Sequence, residues 1–366
     1  MTLTDTAPVP AEERDALAEA IRDLVSRRAD SAAARSAMSR TPRVDRALWE
    51  TLCGEIGVAA LPIPEKWGGA GATFAETAAV LEELGRALTP VPVYAGALAT
   101  AALLIADDAE TNQALLPDIA AGARIATVCW AGQTGWDRPG VSADAGLLSG
   151  TAEYVLDGES ADLLLVLAGN TTAGITLHAV DADADGITVT PLPVVDPSRP
   201  LARITFDETP STSIPSGPDL VDRLRTHAWA LLAAEQVGGA AAALDLTVDY
   251  TKSRKQFGRI IGSFQALKHR MADMYTLVET ARSVARAAAV AIATGDDDAT
   301  DLAAAAHVYC SEAFTTVTGE GIQLHGGIGI TAEHDIGLYF KRAHGSAQLF
   351  GQPHEVIAEL SGRLLA

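Results

Sequence analysis

Residues 124–210 break into six short segments: RIATVCWAG, GLLSGTAEYVL, ADLLLVLAG, GITLHAV, GITVTPLP and ARITFDE. Each is rich in β-branched residues, and Gly, Asp or Pro separates it from the next, which is the pattern of an all-β domain. On both sides the period is helical. AEERDALAEAIRDLVSRR, ALWETLCGEIGVAAL and FAETAAVLEELGRAL place apolar residues three and four apart. After residue 221 the helical period returns, with Met271, Met274, Val278, Ala281, Ala285, Ala288 and Ile292 on one stripe. Length supports two or three domains. The reading is an α+β multidomain chain. It has an N-terminal helical domain over 1–123, a middle β domain over 124–220 closed by a linker at STSIPSGPDL, and C-terminal helices over 221–366.

Composition narrows the class. Lys+Arg 27 against Asp+Glu 47 gives a net charge of −20. That argues against a nucleic-acid partner, because phosphate contacts need clustered Lys and Arg. Cys53, Cys129 and Cys310 are odd in number and far from any CxxC spacing, as suits a reducing compartment. The N-terminal MTLTDTAPVPAEERD lacks a basic region followed by an apolar run, and no stretch reaches 18 uninterrupted apolar residues. Neither a signal peptide nor a membrane span is expected, and a cytoplasmic location is.

Five local patterns bear on chemistry. DADADG at 181–186 imitates the start of a calcium loop, but its twelfth position is Leu192 where a bidentate glutamate is needed, so a hairpin turn is expected. The eight histidines show no metal spacing, and no metal is expected. HGGIGI at 325–330 reads in three ways: a dinucleotide fingerprint lacking its strand, a glycine stop to a helix, or bare backbone for an anion. RKQFGRIIGSFQALKH at 254–269 is either a loop with a solvated basic pair or a phosphate clamp from Arg254, with polar contacts from Gln256 and Gln265. Glu235 is the only formally charged residue between Arg225 and Asp245. A lone carboxylate on an apolar helix is costly to bury unless paired, so it is a general-base candidate or half of a structural ion pair.

YTKSRKQFGRIIGSFQALKHRMADM followed by EGIQLHGGIGITAEHDIGLYFKRA resembles the C-terminal domain of acyl-CoA dehydrogenases. LPIPEKWGGAGATFAETAAVLEELGRAL resembles their N-terminal helical domain, and ITFDETP the strand closing their middle domain. The resemblance implies a helical domain, a β-barrel and a four-helix C-terminal bundle, assembling as a homodimer or homotetramer. It implies FAD as the cofactor, an acyl-CoA substrate, and a flavoprotein or oxygen as electron acceptor. Arg254, Gln256 and Phe257 match the family's cofactor contacts, and Phe264 and Gln265 match its F/H-Q pair. Gln323, Gly326 and Gly327 match a segment that contacts the FAD of a neighbouring subunit, so the two cofactor segments are expected to serve different subunits. Tyr154 stands where a tryptophan usually lies against the flavin.

Departures are as informative. The glutamate that takes the α-proton is replaced by Phe350, and the alternative base position, seven residues before Glu235, holds Ala228. CWAGQTGWD replaces the usual T/S-E-P loop, and Leu156 replaces a hydroxyl residue expected near flavin N5. Two functions follow from the resemblance. One is an FAD-dependent dehydrogenase that converts an acyl-CoA to a trans-2-enoyl-CoA with Glu235 as base. The other is a non-catalytic partner in a heterotetramer with a second acyl-CoA dehydrogenase chain, as in steroid side-chain degradation.

Overall fold

The computed structural model describes residues 8–29, 31–170 and 174–364. Six helices come first: α1 (Ala11–Arg28), α2 (Ser31–Met38), α3 (Arg46–Thr51), α4 (Phe74–Arg86), α5 (Val93–Ala106) and α6 (Ala109–Ala120). Their starts are written locally. Thr73 and Glu76 form a capping box at α4, and Asp108 accepts from the Thr111 N–H at α6. The glycines of EKWGGAGAT end a single 3₁₀ turn, with Gly68 at φ +82°.

Eight strands follow: β1 (Ala126–Cys129), β2 (Val141–Asp144), β3 (Leu147–Leu156), β4 (Leu163–Asn170), β5 (Gly174–Asp181), β6 (Ile187–Pro191), β7 (Leu201–Pro210) and β8 (Thr212–Ile214). They form one mixed sheet in the order β6-β7-β3-β2-β4-β5-β8, with β1 parallel to β4. Two sequence readings change here. DADADG is a turn but not a hairpin, because β5 pairs with β4 and β8 while β6 pairs with β7. Since 182–186 join strands near opposite ends of the sheet, five residues of chain force the sheet to curl toward closure. STSIPSGPDL is only partly a linker, since Thr212–Ile214 adds to the sheet edge beside β5.

The last third holds α7 (Leu220–Ser253), a two-residue hairpin of β9 (Lys255–Gln256) and β10 (Arg259–Ile260), then α8 (Gln265–Thr294), α9 (Ala299–His325), α10 (Ile336–Ser346) and α11 (Pro353–Leu364). The α8 stripe packs inward as its period requires, with Met274, Val278, Ala281, Ala285 and Ala288 buried. Among the described residues only α7 is long and apolar enough to cross a membrane, and 78% of its most apolar window is buried inside the protein. It is the central helix of the core.

Helix α4 crosses α7 at backbone distance. A Cβ on Gly238 would overlap the Glu82 carbonyl oxygen, and one on Gly85 would overlap the Glu235 carbonyl. Gly238→Ala is therefore expected to destabilise the chain by about 1–3 kcal/mol, through overpacking that outweighs its gain in helix propensity. Gly319→Ala in α9 meets nothing within 4 Å and is expected to stabilise by about 1 kcal/mol. Urea midpoints of the two variants, moving in opposite directions, check this.

Candidate functional site

Helix α7 ends at Ser253, and the chain turns back through a hairpin whose tip is Phe257–Gly258, both at positive φ (+51° and +77°). Two consecutive left-handed residues are the demand of a tight two-residue hairpin turn. The tip throws Phe257 into solvent, 89% exposed. Behind it Phe264 stands edge-on at 6.1 Å, and the Arg259 guanidinium lies 3.9 Å over the Phe264 ring. Gln256 is exposed in β9, and Gln265 opens α8 with its amide 3.4 Å from His269 Nε2.

The second segment lies beside the first. His325, the last residue of α9, stacks on Tyr250 of α7 at 4.5 Å, one turn before Arg254. The resemblance divides these segments between subunits as separate cofactor contacts. The structure places both segments at one end of one bundle. Gly326 caps α9 at φ +62°, and neither Gly326 nor Gly327 has a neighbour within 4 Å of where a Cβ would be. The helix-stop and bare-backbone readings of HGGIGI therefore describe the same residues. Gln323, Gly326 and Gly327 are exposed. Arg254, Lys255 and Lys268 have no acidic partner among the described residues, in a chain of net charge −20. Unpaired cations, open glycine backbone and an exposed aromatic ring fit the adenosine diphosphate end of FAD.

The cleft between the β domain and the bundle is different in kind. A cavity of about 890 Å³ lies there, walled by Trp136, Tyr154, Arg199, Arg203, His344 and Gln348 among others. Tyr154 sits at a register shift in β3, at φ +54° and 42% exposed, with Glu153 beside it paired to Arg203 at 2.8 Å. Leu156 is buried in the core. Next to the cavity, behind Leu349 and Gly351 of its lining, the two positions that the resemblance assigns to a base are filled. Phe350 and Ala228 are both buried, and Tyr94 spans them. Its hydroxyl donates to the Ala228 carbonyl at 2.8 Å, and its ring lies 6.1 Å from Phe350. Burial pushes the Tyr94 hydroxyl well above its usual pKa, so it stays protonated and a donor.

The turn carrying Phe350 is held by three ring N–H groups from three parts of the chain. Trp229 Nε1 donates to the Phe350 carbonyl at 3.0 Å, and Trp136 Nε1 donates to the Gln348 carbonyl at 3.2 Å. His307 Nε2 donates to the Gly351 carbonyl at 2.9 Å; the carbonyl can only accept, which fixes the tautomer.

Glu235 is not the unpaired carboxylate that its apolar helix suggests. One oxygen pairs with Arg199 and the other with Arg342 at 2.8 Å. Arg342 also pairs with Asp196 at 2.5 Å and donates to the Ser198 carbonyl and hydroxyl at 2.9 and 2.8 Å. Burial drives the Asp196 carboxyl upward, but Arg342, Ser198 and Arg199 outweigh it and hold it below the usual range. Both Glu235 oxygens are thus committed to guanidinium groups in an ion-pair hub joining the β domain to α7 and α10, which is the ion-pair alternative that the sequence left open for it.

Sequence reasoning missed Tyr94, Trp130, Trp136, Arg199 and Arg342. The signal for the tryptophans was available, since two of the five in the chain stand six residues apart in CWAGQTGWD. The arginines carried none, lying 36 residues before and 107 residues after Glu235.

Among the described residues no group of three or more His, Cys, Asp or Glu side chains is placed to hold a metal. The cysteines are free thiols.

Residues 11–123 match the acyl-CoA dehydrogenase N-terminal domain and residues 220–363 the acyl-CoA dehydrogenase C-terminal domain. The acyl-CoA dehydrogenase IpdE2 of Mycolicibacterium smegmatis is 42% identical over 353 residues, 96% of this chain and 99% of the relative. Among solved structures, the Tcur3481-Tcur3483 steroid ACAD superposes at a TM-score of 0.90 with 31% identity, covering 97% of this chain and 98% of that one. The ChsE4-ChsE5 complex from Mycobacterium tuberculosis superposes at 0.89 with 28% identity, covering 100% and 99%. With both family domains in place and full-length relatives above 30% identity, the chain belongs to the acyl-CoA dehydrogenase family.

Proposed function

We propose that this chain is the non-catalytic partner subunit of a heteromeric acyl-CoA dehydrogenase, and that it lends its bundle end to FAD seated mainly on a second dehydrogenase chain. The observation that carries the reading is the filled base site: Phe350 and Ala228 are buried, Tyr94 bridges them, and Glu235 is tied to two arginines. A general base must come within hydrogen-bond reach of the proton it takes; Phe350 and Ala228 carry no carboxylate, and both Glu235 oxygens are held by arginines. When bound in this family, FAD supplies the hydride acceptor. This chain's share is to bind and orient it, with Arg254 and the Gly326–Gly327 backbone toward the diphosphate and Phe257 and Gln323 toward the adenosine. Similarity to the ChsE4-ChsE5 and Tcur3481-Tcur3483 complexes supports a heteromeric assembly.

The test is the visible spectrum of the chain purified alone and after co-expression with a second dehydrogenase chain. Alone it is expected to be colourless. The complex is expected to be yellow and to bleach with an acyl-CoA. Arg254→Ala should lower FAD retention in the complex, and Glu235→Gln should leave bleaching per folded complex unchanged. A yellow lone chain that bleaches with an acyl-CoA, and stops doing so in Glu235→Gln, would restore the single-chain dehydrogenase with Glu235 as base.

A further inference from the structure

The loop between β1 and β2 carries Trp136 into a slot between two other aromatic residues. Its ring centroid lies 4.5 Å from Phe350 on one side and 6.4 Å from Tyr154 on the other. Trp130 meets it edge-on at 6.1 Å and 83°. The indole is anchored at both ends. Its own N–H donates to the Gln348 carbonyl, and its backbone carbonyl accepts from Trp130 Nε1 at 3.0 Å. The loop is pinned as well, because Gly132 and Gly135 exchange two backbone hydrogen bonds of 3.0 and 3.1 Å. A side chain tied this way is a fixed wall, not a swinging one.

The position of the ring gives it meaning. Tyr154 belongs to the stretch that resembles the one lying against flavin, and Phe350 holds the place of the base on the opposite side. The indole thus packs against both the stretch that resembles a flavin-facing one and the residue at the position the resemblance assigns to the base. The cavity continues past the edge of the indole, where His344, Gln348 and Gln352 line it. This wall does not fit an isoalloxazine as it stands, in contrast to the open bundle end.

We infer that Trp136 is a built-in occupant of this slot, which excludes a planar tricyclic heterocycle of the isoalloxazine class. Removing the indole would convert the slot into a binding site for such a ring. A large side chain cut from a well-packed apolar wall leaves a cavity that admits a ligand of matching shape, and a ring entering here would pack against Phe350 and Tyr154 at the tilts of 47° and 33° that the indole adopts. The inference uses the proposed partner role only to name the slot. It concerns the lone chain, so its failure and that of the partner reading show separately.

The probe is lumiflavin, which carries the tricyclic ring without the ribityl diphosphate tail and so does not report on the bundle end. Full-length wild type and Trp136→Ala are titrated, following quenching of lumiflavin fluorescence and the thermal midpoint, with indole as a second ligand. The expected result is that lumiflavin binds Trp136→Ala at least about tenfold more tightly than wild type, that it raises the midpoint of the variant alone, and that indole competes with it. Lumiflavin bound equally by wild type would overturn the inference, because the indole would then exclude nothing. Indole stabilising the variant while lumiflavin does not would also overturn it, because the slot would then be shaped for indole only. If Trp136→Ala does not fold, Trp136→Leu keeps an apolar fill and is expected to show the same preference more weakly; equal weak binding by this variant and wild type counts against the inference.

Discussion

Arg342→Met is expected to destabilise the chain by roughly 3–5 kcal/mol, the usual cost of leaving buried charge without its partner. Arg342 is 4% exposed and makes four polar contacts: with Asp196, with Glu235, and with the carbonyl and hydroxyl of Ser198. Its loss leaves Asp196 with only the Ser198 N–H and hydroxyl as donors, and Glu235 to Arg199 alone. Replacing Asp196, Arg199, Glu235 and Arg342 together by apolar residues of similar volume should recover most of that loss, because the desolvation of the four groups disappears with their attraction. Urea midpoints of the single and fourfold variants check both statements. A single variant as stable as wild type would mean that water reaches the hub.

A second large effect is expected in acid. Burial pushes His227 and His307 down from 6.5 to about 4, and each has one ring nitrogen without a partner. Between these values the unfolded chain holds a proton on each imidazole and the folded chain does not. The unfolded state binds more protons, so stability rises with pH across the window and is lost as pH falls from 6.5 to 4. Each histidine accounts for about 3 kcal/mol of that loss. Asp157 opposes them. Burial raises its carboxyl to about 6 from 3.8, so its folded form takes a proton first, and it contributes stability in acid of about the size of one histidine. The contribution of Asp196, whose carboxyl is depressed, is lost only at lower pH, as it titrates below 3.8. His307→Gln keeps an N–H for the Gly351 carbonyl and removes the titration. Its urea midpoints at pH 7, 5.5 and 4 should fall less steeply than those of wild type, and an unchanged slope would move the acid sensitivity elsewhere.

Local information carried the helix–strand–helix order into the sequence, because periods of 3.6 and 2 are set by residues a few positions apart. The stripe on α8 was legible for the same reason. Where pairing is long-range the sequence said less. Thr212–Ile214 looked like linker because only its partner β5, more than thirty residues earlier, makes it a strand. DADADG looked like a hairpin because the turn chemistry of 182–186 is local, while the partners of β5 and β6 are not. Glu235 was legible as an anomaly and illegible as a hub, since charge pairing across 36 and 107 residues leaves no spacing to read. Departures from the family pattern at Phe350 and Ala228 were legible as positions, and the structure buries both. That Tyr94 joins them, and that Trp136 backs onto Phe350, depends on packing alone.

The glycine contact between α4 and α7 also governs how the molecule can move. Where Gly85 and Gly238 let two backbones touch, no side chain lies between them to change rotamer and let the helices slide. The first and last thirds of the chain are therefore expected to move together, with slow breathing concentrated in the sheet. Arg342 and Arg199 tether the sheet to the helices across the hub. In hydrogen exchange the amides of α4 and α7 should open only with global unfolding, while those of β6 and β8 at the sheet edges exchange by local fraying.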